Sequence, residues 1–132
     1  MFSRQSNNCP AVNPERYLDL ARELAQSPAP ENIRSAGDRA YYAAFLFCRD
    51  ELAKKGYITP FYSTEDHNYV SRSLQQLFGR GLFSEFELRY QRNRINYDTR
   101  NLHGVSIPWM IKTAENIIET VKSLPPKQPD RL

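Results

Sequence analysis

The stretch LRYQRNRINYDTRNLH, Leu88 to His103, carries Arg89, Arg92, Arg94 and Arg100 against one acid, Asp98. Arginine offers a planar fork of donors that grips phosphate bidentately, so arginines gathered without acids are a candidate anion site. On a helix, at ~100° per residue, Arg89, Arg92, Asn93, Asn96, Arg100 and His103 fall in one stripe roughly 100° wide. Leu88, Ile95 and Leu102 form a buried seam beside it, and Tyr90, Arg94, Tyr97 and Asn101 lie on its other flank. The stripe contains neither an acid nor an aliphatic side chain. A solvated helix face usually pairs Lys with Glu at i,i+4, which stabilises the helix; neighbours such as Arg89 and Arg92 instead repel by a few tenths of a kcal/mol, roughly. A solvated face and a phosphate site both fit these residues. The second explains the missing acids more easily.

Helices joined by punctuated loops must position the stripe. Asn13-Pro14-Glu15 is a helix start: a capping residue, proline at the first helical position, then an acid for the macrodipole. Tyr17, Leu20, Ala21 and Leu24 follow at helical spacing, up to about Gln26. A second helix runs from about Glu31 to Lys55 and stops at Gly56, with Ile33, Ala36, Ala40, Tyr41, Ala44, Phe45, Cys48 and Leu52 as its apolar positions. Its small residues Ala36, Gly37, Ala40, Ala43 and Ala44 admit a close helix neighbour. YITPFYST reads as a loop, and Asp66 to Phe78 as a shorter amphipathic helix. After a turn at Gly79 to Gly81, Ser84 with Glu87 is a capping-box signature that opens the arginine-bearing helix, and Gly104 closes it. Ser106 caps a last helix striped by Met110, Ala114, Ile117, Ile118 and Val121. No stretch alternates with period two. The expectation is an all-α, five-helix up-and-down bundle without a sheet, spanning 13–123, with flexible ends at 1–12 and 124–132.

Composition narrows the function classes. The chain has 132 residues, 12% of them aromatic, and a net formal charge of +3, which permits nucleic-acid contact without demanding it. The apolar run AYYAAFLFC, Ala40 to Cys48, is too short to span a bilayer, and MFSRQSNNCP has no apolar signal core. Cys9 and Cys48 are too few for a disulfide framework, and with two histidines at no recognisable spacing they give no zinc site. No cofactor motif appears. A cytoplasmic protein with reduced thiols is expected.

Three segments resemble those of the HEPN domain family. RSAGDRAYYAAFLFCRDELAKKG is similar to the family's second helix, STEDHNYVSRSLQQLF to the segment after it, and RYQRNRINYD to the motif of its fourth helix. The resemblance covers about Glu31 to Leu102 and implies a five-helix bundle that often forms a homodimer through the motif-bearing helices. It further implies a metal-independent ribonuclease-like toxin in a toxin–antitoxin or defence setting, with a minimal nucleotidyltransferase antitoxin as partner. A non-catalytic module that binds nucleotide, RNA or that partner is the alternative. In the family, catalysis uses Arg, a polar residue such as Asn, and a His after four to six intervening residues. Arg92-Asn93 matches the first half, but Tyr97, Asp98 and Thr99 stand where the His belongs.

Metal-free RNA cleavage needs a base for the ribose 2′-OH and a cation for the charge growing on phosphorus. Arg92, with Arg94 or Arg100, supplies the cation; Arg89 and Asn96 extend the phosphate contact. The base is the missing part. A histidine is the usual base for such a step, but His103 lies eleven residues from Arg92, roughly 16 Å along a helix. An ordinary tyrosine, the residue type at Tyr97, is a poor base at neutral pH, and Asp98 is a weak one. Tyr97 is also the residue that a partner enzyme would modify by nucleotide transfer, as the resemblance implies. Asp38-Arg39 is expected either to orient the motif helix by pairing with Arg92 or Arg94, or to pair locally. His67 is read as a helix-start residue with a local hydrogen bond, and Cys48 as a buried apolar group.

Overall fold

The structure is a computed structural model that describes residues 7–79 and 83–129. Five helices make up the fold: α1 (Pro14–Leu24), α2 (Pro30–Lys54), α3 (Asp66–Phe78), α4 (Phe83–Tyr97) and α5 (Ile107–Lys122). Among the described residues there is no strand. The bundle is all-α, as the spacing predicts.

Local chemistry sets the helix ends. The Asn13 side chain accepts from the Glu15 backbone N–H, and Ser106 accepts from that of Trp109, each satisfying a donor that the first helical turn leaves unpaired. Gly56 follows α2 at φ 88°, a conformation in which a Cβ would be strained. At the start of α3, the fully buried Asp66 carboxylate accepts from the backbone N–H groups of Phe61 (2.9 Å) and Tyr62 (2.8 Å). That clasp holds Tyr62 at φ 57°, uncommon for a residue with a side chain.

The long helix α2 is the hub, and α1, α3, α4 and α5 all pack on it. Its buried face is built of Ala36, Gly37, Ala40, Ala43 and Ala44 between the larger Tyr41, Phe45, Cys48 and Leu52. Gly37 marks the tightest approach: a Cβ there would lie 2.6 Å from Ile95 Cδ1 on α4 and 2.8 Å from Ile107 Cδ1 on α5. Leu88, Ile95, Met110, Ala114, Ile117, Ile118 and Val121 close the core from the α4 and α5 side. Full burial of each larger one stabilises the fold by roughly 1.5–3 kcal/mol.

Four details differ from the sequence reading. In α1 the core residues are Leu18 and the expected Ala21, while Leu20 stays 37% exposed, because the face is set by where α2 lies. Ser84 is already inside α4 and does not cap it; Arg80, Gly81 and Leu82, where the turn was expected, lie outside the described residues. The arginine helix ends at Tyr97, not near Gly104. Residues 124–127 lie against the bundle: the Tyr57 hydroxyl donates to the Pro125 carbonyl (2.7 Å) and the Lys127 N–H to the Lys55 carbonyl (2.8 Å). Residues 1–6 and 130–132 lie outside the described residues.

Candidate functional site

The early end of α4 divides the expected stripe. Arg34 reaches across from α2 and donates to the carbonyls of Ile95 (3.2 Å), Asp98 and Arg100 (2.6 Å). It thereby satisfies C-terminal acceptors that a longer helix would have used itself. The Asp98 carboxylate accepts from the Arg100 N–H (3.0 Å), a turn-forming bond that competes with helix. Arg100 and His103 therefore sit on the loop from 98 to 106 and are not part of the α4 stripe, a correction to the helical projection.

What remains of the stripe meets α2 at Asp38. The carboxylate accepts from Arg39 Nη2 (2.6 Å), Asn96 Nδ2 (3.0 Å) and Arg92 Nε (3.3 Å). Arg92 also donates to the Tyr42 hydroxyl (2.7 Å) and to Asn93 Oδ1 (3.0 Å), and its guanidinium lies 5.0 Å from the ring centres of both Tyr41 and Tyr42. Its side chain is only 17% exposed. Arg39 lies over Tyr17 (5.2 Å) and Tyr42 (5.1 Å). So the stripe is not free of acids in three dimensions, because α2 brings one. Both expectations for Asp38 hold at once: it pairs with its neighbour and orients α4 through Arg92.

The electrostatics follow from this arrangement. Burial disfavours the Asp38 carboxylate, but the bonds from Arg39, Asn96 and Arg92 outweigh it and hold the group below the usual aspartate range. Arg89 is placed differently, donating from Nη1 to Asn68 Oδ1 (2.8 Å), an uncharged partner on α3. Below it Glu85 is buried and accepts from Ser71 Oγ with both oxygens at 2.9 Å; desolvation raises its pKa.

His67 joins this cluster. Its Nδ1 lies 2.6 Å from the Tyr41 hydroxyl, and its ring stacks on Phe45 at 4.0 Å and 11°. It does open α3, but its bond is to a residue on another helix. Burial, together with the charges of Arg89 and Arg92, lowers its pKa to about 4, so the ring is neutral at pH 7. Burial likewise pushes the Tyr41 hydroxyl well above the ordinary tyrosine value. Sequence spacing missed His67, since only the packing of α3 across α2 brings it beside the arginines.

The other expected site residues stand on the far side of α4. Arg94 donates to the His103 carbonyl (2.6 Å), which fixes the loop. Arg100, 86% exposed, forms a fork with Asp98 (3.0 and 2.9 Å), whose pKa the Arg100 side-chain bond lowers to about 2. Tyr97 is 85% exposed. Tyr90, Asn93, Arg94 and Tyr97 line an open groove with Asp98, Thr99 and Arg100. Neither His103 nor Tyr97 hydrogen-bonds to Arg92. The structure therefore gathers Arg39, Arg92 and Asn96 on Asp38, with Asn93 on Arg92 and Arg89 next to them on α4 but bonded to Asn68; Arg94 bonds instead to His103 and Arg100 to Asp98.

Among the described residues no group of three His, Cys, Asp or Glu could hold a metal ion, and no helix is long and apolar enough to cross a membrane. Compared with protein-family models, with curated proteins and with solved structures, the chain matches none.

Proposed function

We propose that this chain is a HEPN-like helical module that binds RNA or nucleotide phosphate at the seam of α2, α3 and α4. The reading is carried by one observation: at this seam Arg39 and Arg92 share the Asp38 carboxylate and Arg89 bonds to Asn68, so that among the described residues Asp38 is the one carboxylate hydrogen-bonded to any of the three. A carboxylate shared by two guanidiniums leaves donor capacity over, and Arg89, which feels the Glu85 charge, hydrogen-bonds to an amide and to no carboxylate. Phosphate oxygens complete such a set with charge-assisted bonds. The clean probe is Arg89→Ala, because Arg92 also locks two helices together. A labelled RNA strand titrated in EDTA should bind in a salt-dependent way, and Arg89→Ala should lower the salt slope by about 0.7. RNA binding that Arg89→Ala leaves unaltered would overturn the reading.

A second reading, metal-independent cleavage of toxin or defence kind, is favoured by neutral His67 beside Arg89 and Arg92. In that reading His67, not His103 or Tyr97, moves the proton while the arginines stabilise the phosphorane. Purified protein would then give 2′,3′-cyclic phosphate ends in EDTA, and His67→Gln would abolish them. Intact RNA across pH and protein concentration sinks this reading and leaves phosphate binding standing. A homodimer and a small nucleotidyltransferase partner belong to the same proposal. Light scattering and co-purification test them.

A further inference from the structure

The far face of α4 has a pattern that phosphate binding does not use. Phe86, Tyr90 and Tyr97 are 40%, 58% and 85% exposed, unusual for three aromatics on one helix. At ~100° per residue they fall, with Asn93, within roughly 60° of the helix surface, and the rise separates Phe86 from Tyr90 by about 6 Å and Tyr90 from Tyr97 by about 10 Å. Phe86 lies one turn before Tyr90, outside the groove that Tyr90 and Tyr97 of this row line with Asn93, Arg94, Asp98, Thr99 and Arg100. It has no aliphatic lining residue. Its two arginines outnumber its one acid, and Asn93 borders it while accepting from Arg92 of the phosphate seam.

We infer that the Phe86–Tyr90–Tyr97 row is a stacking platform for unpaired bases of an RNA strand whose phosphates lie at the Arg89–Arg92 seam. This rests on the phosphate-binding reading and names its substrate class: single-stranded rather than duplex RNA. The chemistry fits in three ways. A tyrosine ring open to solvent offers a π-face that any base can cover, whereas bases within a duplex have both faces taken by their neighbours. Guanidiniums at the rim favour a polyanion and can themselves stack on bases. The polar lining of Asn93 and Thr99 suits base edges better than the aliphatic anchors of a protein partner. Asn93 sits at the crest between seam and groove, so a strand crossing α4 there places phosphate on one side and bases on the other.

The test uses the full chain and a labelled twelve-nucleotide RNA, alone or annealed to its complement. Tyr90→Ala and Tyr97→Ala should each weaken single-strand binding about ten-fold and leave the salt slope unchanged. Tyr97→Phe, which keeps the ring, should bind as wild type does, and duplex should bind more weakly than single strand. Thermal unfolding of each variant shows that the fold is intact, as expected for such exposed positions. Equal binding of duplex and single strand, or tyrosine variants that bind like wild type, overturns the platform. So does a dimer that dissociates in the tyrosine variants, because the row is then covered by a second copy. If Arg89→Ala weakens binding and the tyrosine variants do not, the platform alone fails. If wild type binds no RNA, both readings fall.

Discussion

Replacing Asp38 by asparagine separates two roles of one carboxylate. As a clamp it joins α2 to α4 through Arg92 and Asn96, with a side chain only 17% exposed. Charge-assisted bonds of this kind are worth roughly 1.5–3 kcal/mol each, and the amide oxygen of asparagine recovers part of the loss. A net cost of about 2–3 kcal/mol is expected, which for a chain of this size lowers Tm by about 8–12 °C. As a charge, the same group opposes any bound phosphate. Removing one negative charge about 7 Å from a phosphate, at an effective dielectric constant of about 40, favours binding by about 1 kcal/mol, or five-fold. Asp38→Asn should therefore melt earlier and bind RNA more tightly. The sign with pH also follows. The folded pKa of Asp38 is depressed, so its contribution is present above the ordinary aspartate pKa and fades as pH falls through the lowered folded value. The difference in stability between wild type and variant should be constant from pH 7 to about 5 and shrink below about 4. Circular dichroism melts and RNA anisotropy at 25 °C measure both effects. An unchanged Tm would refute the clamp, and weaker RNA binding would refute the charge argument.

Three further substitutions probe the surroundings. His67 has a folded pKa of about 4 against an ordinary 6.5, so its stabilising contribution is complete above pH 6.5 and is lost as pH falls toward 4. Wild type should lose about 2–3 kcal/mol from this group between pH 7 and 4.5, and urea unfolding of His67→Gln should show a flatter profile; parallel profiles would contradict the assignment. Glu85 has a raised pKa, so its ionisation costs stability at neutral pH and the cost disappears on acidification. Glu85→Gln should be more stable than wild type at pH 7 and no more stable at pH 4, whereas a loss at pH 7 would show that the Ser71 bonds need the charge. Gly37→Ala gains about 1 kcal/mol of helix propensity but crowds Ile95, Ile107 and Met110 together, with Cβ contacts of 2.6, 2.8 and 3.0 Å. A net loss of about 1–2 kcal/mol is expected, and a more stable variant would mean that those side chains move aside freely.

The helices were legible because their signals are local. Asn13, Pro14 and Ser106 act within one turn, and the alanine-rich face of α2 announces its close neighbours. Three features were not legible. The end of α4 is set by Arg34, more than sixty residues away, so the helical projection ran on through Arg100 and His103. The acid in the stripe comes from α2, although the Asp38-Arg39 pair had pointed to it. His67 entered the cluster through tertiary packing alone, with a bond to Tyr41 where a local one was expected. Local chemistry thus identified the arginines, and packing decided which of them meet.

The most direct test follows the arginine side chains themselves. In an NMR titration with a short single-stranded RNA in EDTA, the Nε–Hε signals of Arg39, Arg89 and Arg92 are expected to shift together, with the His67 ring signals following them. Arginine signals that stay still at saturating RNA, or shifts confined to Arg94 and Arg100, would place the phosphate elsewhere and contradict the proposed seam.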